Sequence, residues 1–334
     1  MQTVFVTGGT GFIGRHLVTD LLAAGCAVRC LVRSPHRAEH LRRLDVRLVP
    51  GTLEAPADWA GALAGCDAVI HAGGLVAARR NGDMFRVNGT AVGGLADACA
   101  ARESPPVLVH LSSLAAAGPA PRRHEPRDER APASPVSAYG ASKRAGELEL
   151  GRRAGRLPVT ILRPGIVFGP HDTKVAAMFQ SIDRFRLHVR MGFRDGPLSL
   201  VHAADLAPLA LAAARGGERL DGTAGRGFYH ACDDREHPTY GELGRRIARA
   251  LGRSVLVMPL PLTLAWPASA AVAAFWNLLG QASIVSPDKL REATAGSWAA
   301  SAAKARADLG FAPAATLDAR LAETAAWLRA NGGL

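Results

Sequence analysis

The chain is short of lysine, of aromatic residues, of paired cysteines and, over one long stretch, of any charge, and each shortage excludes something. Only Lys143, Lys174, Lys289 and Lys304 are lysines among 40 basic residues, so the formal charge of +11 is almost all arginine, scattered along the sequence. A nucleic-acid face gathers its basic residues on one surface. With aromatics at 5% and the arginines dispersed, no nucleic acid is expected as partner, and the arginines read as a solvated surface. The five cysteines, at 26, 30, 66, 99 and 232, are odd in number and form no CxxC pair. That fits free thiols in a reducing cytosol better than a disulfide frame, with Cys26 and Cys30 packing around a strand. No His/Cys cluster has metal-ligand spacing, so no metal is expected. Gln2–Val6 already alternates as a strand, so no leader peptide is expected and the location reads as cytoplasmic.

The uncharged stretch runs from Ser254 to Pro287. Pro259, Pro261 and Pro267 break its first half, which argues against one straight membrane-spanning helix. The favoured reading is a buried helix over Ala268–Ile284. A hydrophobic substrate mouth, or a patch that rests on a membrane surface through 254–287, is the alternative.

What is present is a chain of 334 residues with an ordinary hydrophobic share of 48%, long enough for one large layered domain and a smaller one. Strand and helix patterns alternate through the first half: strands at Thr3–Thr7, Ala27–Val32, Val46–Val49, Ala68–His71, Val107–Ser112 and Val159–Arg163, with helices at Phe12–Ala24, Arg37–Leu44, Ala57–Leu63, Met84–Ala101 and Ser142–Arg153. This predicts an α/β fold: a doubly wound parallel Rossmann sheet with a smaller, mainly helical C-terminal substrate domain. Residues 1–165, with help from 196–226, are assigned to the dinucleotide-binding domain, and 166–195 with 227–334 to the substrate domain. Later segments read as a strand at Leu198–Val201 and helices at Leu206–Arg215, Tyr240–Leu251 and Leu317–Arg329. Pro119–Pro135, rich in Pro, Arg, Asp and Glu, reads as a long surface loop, either a lid or an inert insertion.

Thr7-Gly8-Gly9-Thr10-Gly11-Phe12-Ile13-Gly14 follows the first strand and opens a helix. Gly8 permits the tight turn, Gly11 lets backbone approach a pyrophosphate, and Gly14 lets the helix pack near the strand. The free N–H groups of Thr10 to Gly14 then face the phosphates. The residue after the second strand selects the coenzyme. An acid there would hold the ribose hydroxyls of NAD, and an arginine accommodates the 2′-phosphate of NADP. Arg33-Ser34 stands at that place, which favours NADP(H) and leaves NAD(H) open.

Tyr139 and Lys143 stand four residues apart, on one face of a helix. A nearby ammonium favours the phenolate, so Lys143 is expected to lower the pKa of Tyr139, which could then exchange a proton with a hydroxyl or carbonyl oxygen while hydride moves at the adjacent carbon. Ser112-Ser113 ends the fifth strand, where a side chain points into the ligand crevice of a doubly wound sheet.

In this order the glycine cradle, the serines and the Tyr139/Lys143 pair resemble the extended short-chain dehydrogenases/reductases, the group of sugar-nucleotide epimerases and dehydratases and 3β-hydroxysteroid dehydrogenase-like enzymes. Val6–Gly14 is similar to the coenzyme motif, and Leu111-Ser112-Ser113 to the serine strand. Leu162–Pro170 is similar to the segment lining the nicotinamide, and Val201–Leu206 to a later V-H-x-x-D run. Asn88-Gly89-Thr90 is similar to the helix asparagine motif, and Ala305–Pro313 to the C-terminal one. The resemblance implies Ser113, Tyr139 and Lys143 as catalytic residues, with Lys143 also on the nicotinamide ribose. It implies coenzyme contacts at Thr52 and Leu53, at Ala72 and Gly73, and at Pro164, Gly165, Ile166 and Val167. It also implies a homodimer through the Met84–Ala101 and Ser142–Arg153 helices. The chain departs from the pattern in having Gly51-Thr52-Leu53 for Gly-Asp-Leu and His71-Ala72-Gly73-Gly74 for H-x-A-A. It also lacks a Q-x-R-D run before Val201. The last departure and the uncharged stretch turn the reading away from sugar nucleotides, toward hydroxysteroid dehydrogenase-like and hopanoid-associated members.

The expected function is an NADP(H)-dependent oxidoreductase acting on a secondary alcohol or ketone of a bulky, largely apolar small molecule. A sugar-nucleotide epimerase or dehydratase without net redox change, and a non-catalytic coenzyme-binding sensor or assembly protein, are the alternatives. Among other residues, His202 reads as a structural histidine, Asp205 as a helix cap, His171-Asp172 as a turn, and the five tryptophans as packing.

Overall fold

Unbroken apolar runs cannot leave one face in water, so strands such as Ala68–His71 and Val159–Pro164 demand cover on both sides. Both are buried along their whole length. The structure is a computed structural model, which describes residues 1–122, 125–283 and 285–334. In chain order its elements are β1 (Thr3–Thr7), α1 (Phe12–Ala23), β2 (Ala27–Val32), α2 (Glu39–Arg42), β3 (Val46–Pro50) and β4 (Ala68–His71). Next come α3 (Asn81–Phe85), α4 (Ala91–Ala100), β5 (Val107–Leu111), α5 (Leu114–Ala117), α6 (Ala138–Gly151), β6 (Val159–Pro164) and β7 (Ile166–Phe168). Then follow α7 (Lys174–Phe185), β8 (Leu187–Met191), β9 (Leu200–His202), α8 (Ala203–Gly216), β10 (Phe228–Ala231), α9 (Tyr240–Leu251) and β11 (Leu256–Leu260). The last are α10 (Leu262–Leu278), α11 (Pro287–Thr294), α12 (Ala303–Leu309) and α13 (Leu317–Ala330).

Seven strands form one parallel sheet in the order β10-β6-β5-β4-β1-β2-β3. One face is covered by α1 and α8, with Leu17, Leu21, Leu206 and Ala210 in its core. The other is covered by Trp59, α4 and α6. A smaller core of Phe179, Leu243, Ile247 and Leu321 joins α7, α9 and α13. The chain order reverses between β1 and β4, which is where doubly wound sheets open a ligand crevice.

Several expectations change. The seventh strand, Phe228–Ala231, pairs with β6 in the main sheet although its residues had been assigned to the smaller domain. The long helix after Met84 is interrupted by a π-helical turn over Arg86–Thr90. The Ala57–Leu63 helix is two 3₁₀ turns, Pro56–Asp58 and Ala60–Leu63. The Arg37–Leu44 helix is a 3₁₀ turn at Pro35–Arg37 followed by the single turn of α2. The helix of the uncharged stretch starts six residues early, with Pro267 inside it, and is not buried: only Ala265 and Ser269 are. Its expected end at Ile284 lies outside the described residues. Trp276 accordingly is not core packing but 38% exposed. All five cysteines are free and buried.

The 119–135 loop is knitted into the body, which removes the lid reading for its second half. Arg127, 2% exposed, donates to the carbonyls of Ala117 and Gly118 at 2.6 and 2.7 Å, and to those of Pro119, Ala131 and Pro132. Its backbone pairs with Ala299 and Ser301, and Glu129 accepts from the His230 N–H at 2.8 Å. Burial pulls the Arg127 guanidinium down to about 10. Removing it orphans several buried carbonyls at once. Arg127→Met is expected to cost about 3 kcal/mol, read as a lower urea midpoint with an unchanged slope; an unchanged midpoint would show that the loop is held without it.

Candidate active site

The crevice begins where β1 and β4 end side by side. Gly8 has φ +77°, and a Cβ there would stand 2.6 Å from the Gly73 nitrogen. A Cβ on Gly14 would collide with the Gly8 carbonyl, so α1 lies against the turn. Gly11 is different: the nearest atom to its Cβ would be the Gly8 oxygen at 3.3 Å, and the rest is open. Gly11 caps α1 with no side-chain hydrogen bond, and the first turn carries no acid. The N–H groups of this first turn are therefore left for an anion, which is the fit a dinucleotide pyrophosphate requires. Thr10, Gly11, Phe12, Ile13 and Gly14 line that end.

At the end of β2, Arg33 is exposed and Ser34 precedes a short turn without a side-chain capping bond. Among the described residues no carboxylate lies within ion-pair distance of Arg33. His40 approaches the Gly9 carbonyl at 3.4 Å. The 51–53 turn is fixed from below: Trp59 donates to the Thr52 carbonyl at 2.7 Å, and Gly51 has φ +154° with the Trp59 ring beneath it. Leu53 turns into the core beside Trp59.

Tyr139 and Lys143 lie one turn apart on α6, and Ser113 comes close to Tyr139. Ser113 caps α5, accepting from the Ala115 N–H at 3.1 Å, and its hydroxyl reaches the phenol of Tyr139. Ser112 is engaged elsewhere, donating to Glu147 at 2.6 Å, so of the two serines Ser113 is the one at Tyr139. Lys143, 4% exposed, donates to the Leu111 carbonyl at 2.7 Å. Burial pulls its ammonium down to about 8, against the attraction of Glu147. The expected lowering of Tyr139 is not found. Burial pushes its phenol up to about 12; the Ser113 hydrogen bond works against this and Glu292 adds to it.

Behind the pair lies a buried charged frame. Glu147 accepts from Arg163 at 2.8 and 2.7 Å and from Arg144 at 2.9 Å. Burial would raise the Glu147 carboxyl, but Arg163, Ser112 and Arg144 hold it below the usual range. Asn88, on the π-helical turn, accepts from the Leu75 N–H at 2.8 Å and donates to the Leu75 carbonyl at 2.7 Å and to Ser142 at 2.9 Å. It fixes the 72–75 backbone against α6. His71 shares a hydrogen bond with Thr7 at 2.5 Å and stacks on His110 at 5.0 Å. Burial, with Lys143 nearby, takes His71 down to about 3 and His110 well below the ordinary value, so both rings are neutral beneath the ammonium.

The front wall was not foreseen. Asp288 accepts from the N–H groups of Ala138 and Tyr139 at 2.7 and 3.4 Å, and Glu292 accepts from Ser137. Lys289 lies 4.3 Å from the centroid of the Tyr139 ring and pairs with Glu292 at 2.7 Å. The sequence did carry a signal: Ser286-Pro287-Asp288 is a helix start, with a capping serine, proline at the first position and an acid in the first turn. Between α10, α11 and the 76–81 segment lies a cavity of about 260 Å³, lined in part by Val76, Ala77, Met84, Ala273 and Pro287, with Arg79, Asp288, Lys289 and Arg291 supplying charge.

Pro164 ends β6, a Cβ on Gly165 would strike the Ser199 carbonyl, and Ile166 and Val167 begin β7 with Ile166 36% exposed. His202 caps α8 and packs edge-on against Phe168 at 5.2 Å. Asp205 is not that helix's cap; it accepts from the Ala314 N–H at 3.1 Å and pairs with Arg320 at 2.5 Å. His171-Asp172 is a turn, in which Asp172 accepts from the N–H groups of Lys174 and Val175.

A model of the NAD-dependent epimerase/dehydratase family matches residues 4–226. The chain is 32% identical over 301 residues to the ceramide reductase of Caulobacter vibrioides, covering 90% of this chain and 86% of that protein. It is 34% identical over 221 residues to a 4-hydroxy-2-methyl-3-oxo-4-farnesyl-3,4-dihydroquinoline-1-oxide ketoreductase of Stigmatella aurantiaca, covering 64% of each. Its fold is similar to that of MoeE5 in complex with UDP-glucose and NAD, with a TM-score of 0.75 at 22% identity over 98% of this chain and 99% of that one.

The buried ammonium makes a stability claim. Lys143 sits near 8 in the fold and near 10.5 when free, so between those values the unfolded chain holds more protons and stability rises with pH. Below pH 8 the full cost of burying the charge is present. Lys143→Met is expected to stabilise by on the order of 2 kcal/mol at pH 7, net of the lost Leu111 hydrogen bond, with the gain fading toward pH 10. Melting temperatures across that range check it, and a loss of stability at every pH would overturn it.

Proposed function

The chain belongs to the NAD-dependent epimerase/dehydratase family, within the extended short-chain dehydrogenases/reductases, and on that footing we propose that it is an NADPH-dependent reductase of a bulky, largely apolar ketone, with the secondary alcohol as product. The observation that carries this is Tyr139, close to Ser113 and one helical turn from the buried Lys143, near a cavity that sets an apolar side of Val76, Ala77, Met84, Ala273 and Pro287 against a polar and charged one. The two relatives named for a ceramide and for a farnesyl-bearing quinoline support the same substrate class.

The first turn of α1, with Thr10 to Gly14, would hold the pyrophosphate, Arg33 and Ser34 the 2′-phosphate, Lys143 the nicotinamide ribose, and the 72–73 and 164–167 backbone the ring. When bound, the reduced nicotinamide would supply the hydride. The protein supplies the proton. Tyr139, held protonated to about 12 by burial, donates its hydroxyl proton to the carbonyl oxygen. Ser113, whose oxygen accepts from the Ala115 N–H and whose hydroxyl meets Tyr139, would turn its proton to that same oxygen when the ketone is bound. At neutral pH the phenol is protonated, the form from which a proton passes to a ketone oxygen.

One observation favours the second reading, a sugar-nucleotide epimerase or dehydratase: the cations at the cavity could hold a diphosphate. Two of the three are already paired, Lys289 with Glu292 at 2.7 Å and Arg291 with Asp288 at 3.8 Å. Arg79 alone is left, which weakens that reading.

Tyr139→Phe is expected to lower kcat for NADPH-dependent ketone reduction by roughly 10²- to 10⁴-fold while the NADPH Kd stays within about threefold. A ketone panel followed by NADPH absorbance checks it. Coenzyme that copurifies and cycles without net oxidation would move the assignment to the epimerase. Unchanged behaviour of the variant would indicate a binding protein. Arg33→Ala is expected to weaken NADPH binding by about 10- to 100-fold and NADH binding hardly at all, since one charge-assisted phosphate contact is lost. Calorimetric titration of both coenzymes measures this, and a wild-type preference for NADH would overturn the NADP assignment.

A further inference from the structure

We propose that α10 and the sheet ribbon beside it form a docking surface for an anionic lipid bilayer, through which the apolar substrate of the function proposed above reaches the cavity. A helix on the surface of a protein in water carries charge on its outer face. α10 carries none on any face, and it turns only a thin stripe, Ala265 and Ser269, into the body. Outward it presents Leu264, Phe275 and Leu278, the last 87% exposed. Its packing is chiefly on α11.

The apolar surface does not stop there. β8 and β11 form a two-stranded parallel ribbon with Leu187 beside Leu256 and Val189 beside Met258. The alternate residue His188 packs against Tyr240 and Gly244 of α9, so the leucine side faces away from the body. Phe185 and Phe193 flank β8 and are 65% and 71% exposed. The ribbon joins α10 directly, since Leu262 packs on Gly192. Of the exposed large apolar side chains of the described residues, most fall in 185–193 and 256–285.

Charge says what covers this face. Arg184 and Arg194 adjoin Phe185 and Phe193, and Arg79 stands across the cavity from the second half of α10. Among the described residues none of the three has a carboxylate within ion-pair distance: of the acids of that edge, Asp183 is taken by Arg186 and Arg253, and Asp195 accepts from the N–H groups of Tyr240 and Gly241. Uncompensated arginines rimming an uncharged apolar face match anionic headgroups above acyl chains. A two-fold contact with a second copy would instead set the same arginines near one another. At 17 residues α10 is about 25 Å long, short of the hydrocarbon thickness of about 30 Å, and among the described residues no helix is long and apolar enough to cross a membrane. It would lie in the interface, with Phe275 and Trp276 at headgroup depth. Ala273, one turn from Trp276, lines the cavity, so the docked face and the substrate space share a wall.

Cosedimentation of the full chain with vesicles tests this. Binding is expected to phosphatidylcholine vesicles containing phosphatidylglycerol, to be weak with phosphatidylcholine alone, and to fall with salt. Phe275→Ser with Leu278→Ser, and separately Arg184→Glu with Arg194→Glu, are each expected to weaken it at least tenfold, with melting temperature and NADPH affinity unchanged as the check on folding. Quenching of tryptophan fluorescence by brominated lipid is expected to drop in Trp276→Phe. No binding to anionic vesicles, or binding that both double variants retain, would overturn the proposal. So would light scattering that finds a dimer dissolved by the Phe275/Leu278 change. Vesicle binding without ketone reduction would leave this surface standing and remove the reductase reading alone.

Discussion

The close approach of Gly8 to the Ala72–Gly73 backbone governs the rest of the molecule. Two parallel strands that part company at their carboxyl ends normally leave side chains between them. Here the turn after β1 and the turn after β4 touch through backbone alone, with a Cβ on Gly8 excluded by Gly73 on one side and its positive φ on the other. Because Gly14 in turn rests on Gly8, the first turn of α1 is drawn down onto the sheet and its N–H groups open on the crevice. Larger residues at these places would lift the helix, and the open space over Gly11 would lose its anion-binding floor. Thr7, one residue before the turn, bonds His71 at the end of β4, so the contact is tied from below as well.

The chemistry is placed from the other side by buried charge. A carboxylate taken out of water survives only if it is paired and hydrogen-bonded. Glu147 meets that condition three times over, through Arg163, Arg144 and Ser112, and in doing so pins α6 to β5 and β6. One turn earlier on the same helix stands Lys143, whose ammonium is then the least supported charge of the group. Stability and the proposed function pull apart at this residue: the fold would be better served by a neutral side chain, and the ribose and proton chemistry proposed for it by the cation. The π-helical turn at Asn88 has the same character. It breaks helical regularity so that one amide can reach Leu75 and Ser142 together.

What was legible in the sequence follows from how local each signal is. Strand ends at β1, β2 and β4, and the whole of α9, could be read to the residue, because apolar runs, Gly252 in the left-handed region and the Thr239/Glu242 capping box are all written within a few positions. The glycine cradle and the Ser113, Tyr139 and Lys143 set were equally local. The misses depend on distant partners. Arg127 looked like part of a loose charged loop because its five carbonyl acceptors lie in a fold the local composition does not describe. Asp205 resembled a helix cap, and only the return of Arg320 from the far end of the chain gives it another task. The spacing predicts a Tyr139 phenol lowered by Lys143; burial, invisible in a four-residue spacing, raises it, and only the Ser113 hydrogen bond works the other way. The burial of α10 failed for a related reason. An uncharged helix says that it avoids water, and it does not say whether protein or something else provides the shelter.

That last point bears on how the site is built. α11 is a helix of eight residues, yet it touches three things at once. Its Asp288 and Glu292 accept from Ala138, Tyr139 and Ser137, the first turn of α6, where two carboxylates near a helix amino end are electrostatically welcome. Its Lys289 covers the ring of Tyr139. Its other side carries α10, through contacts that include Arg291 over the Trp266 ring at 5.8 Å. A shift of α10 would therefore reach, through α11, the amino end of the helix that holds Tyr139 and Lys143. The sheet side of the crevice is fixed by glycine contacts and buried ion pairs that cannot yield without loss of the fold. The α10–α11 side is held by partly exposed ion pairs and a half-exposed apolar face, so adaptation to the size of the bulky substrate proposed above would come from there.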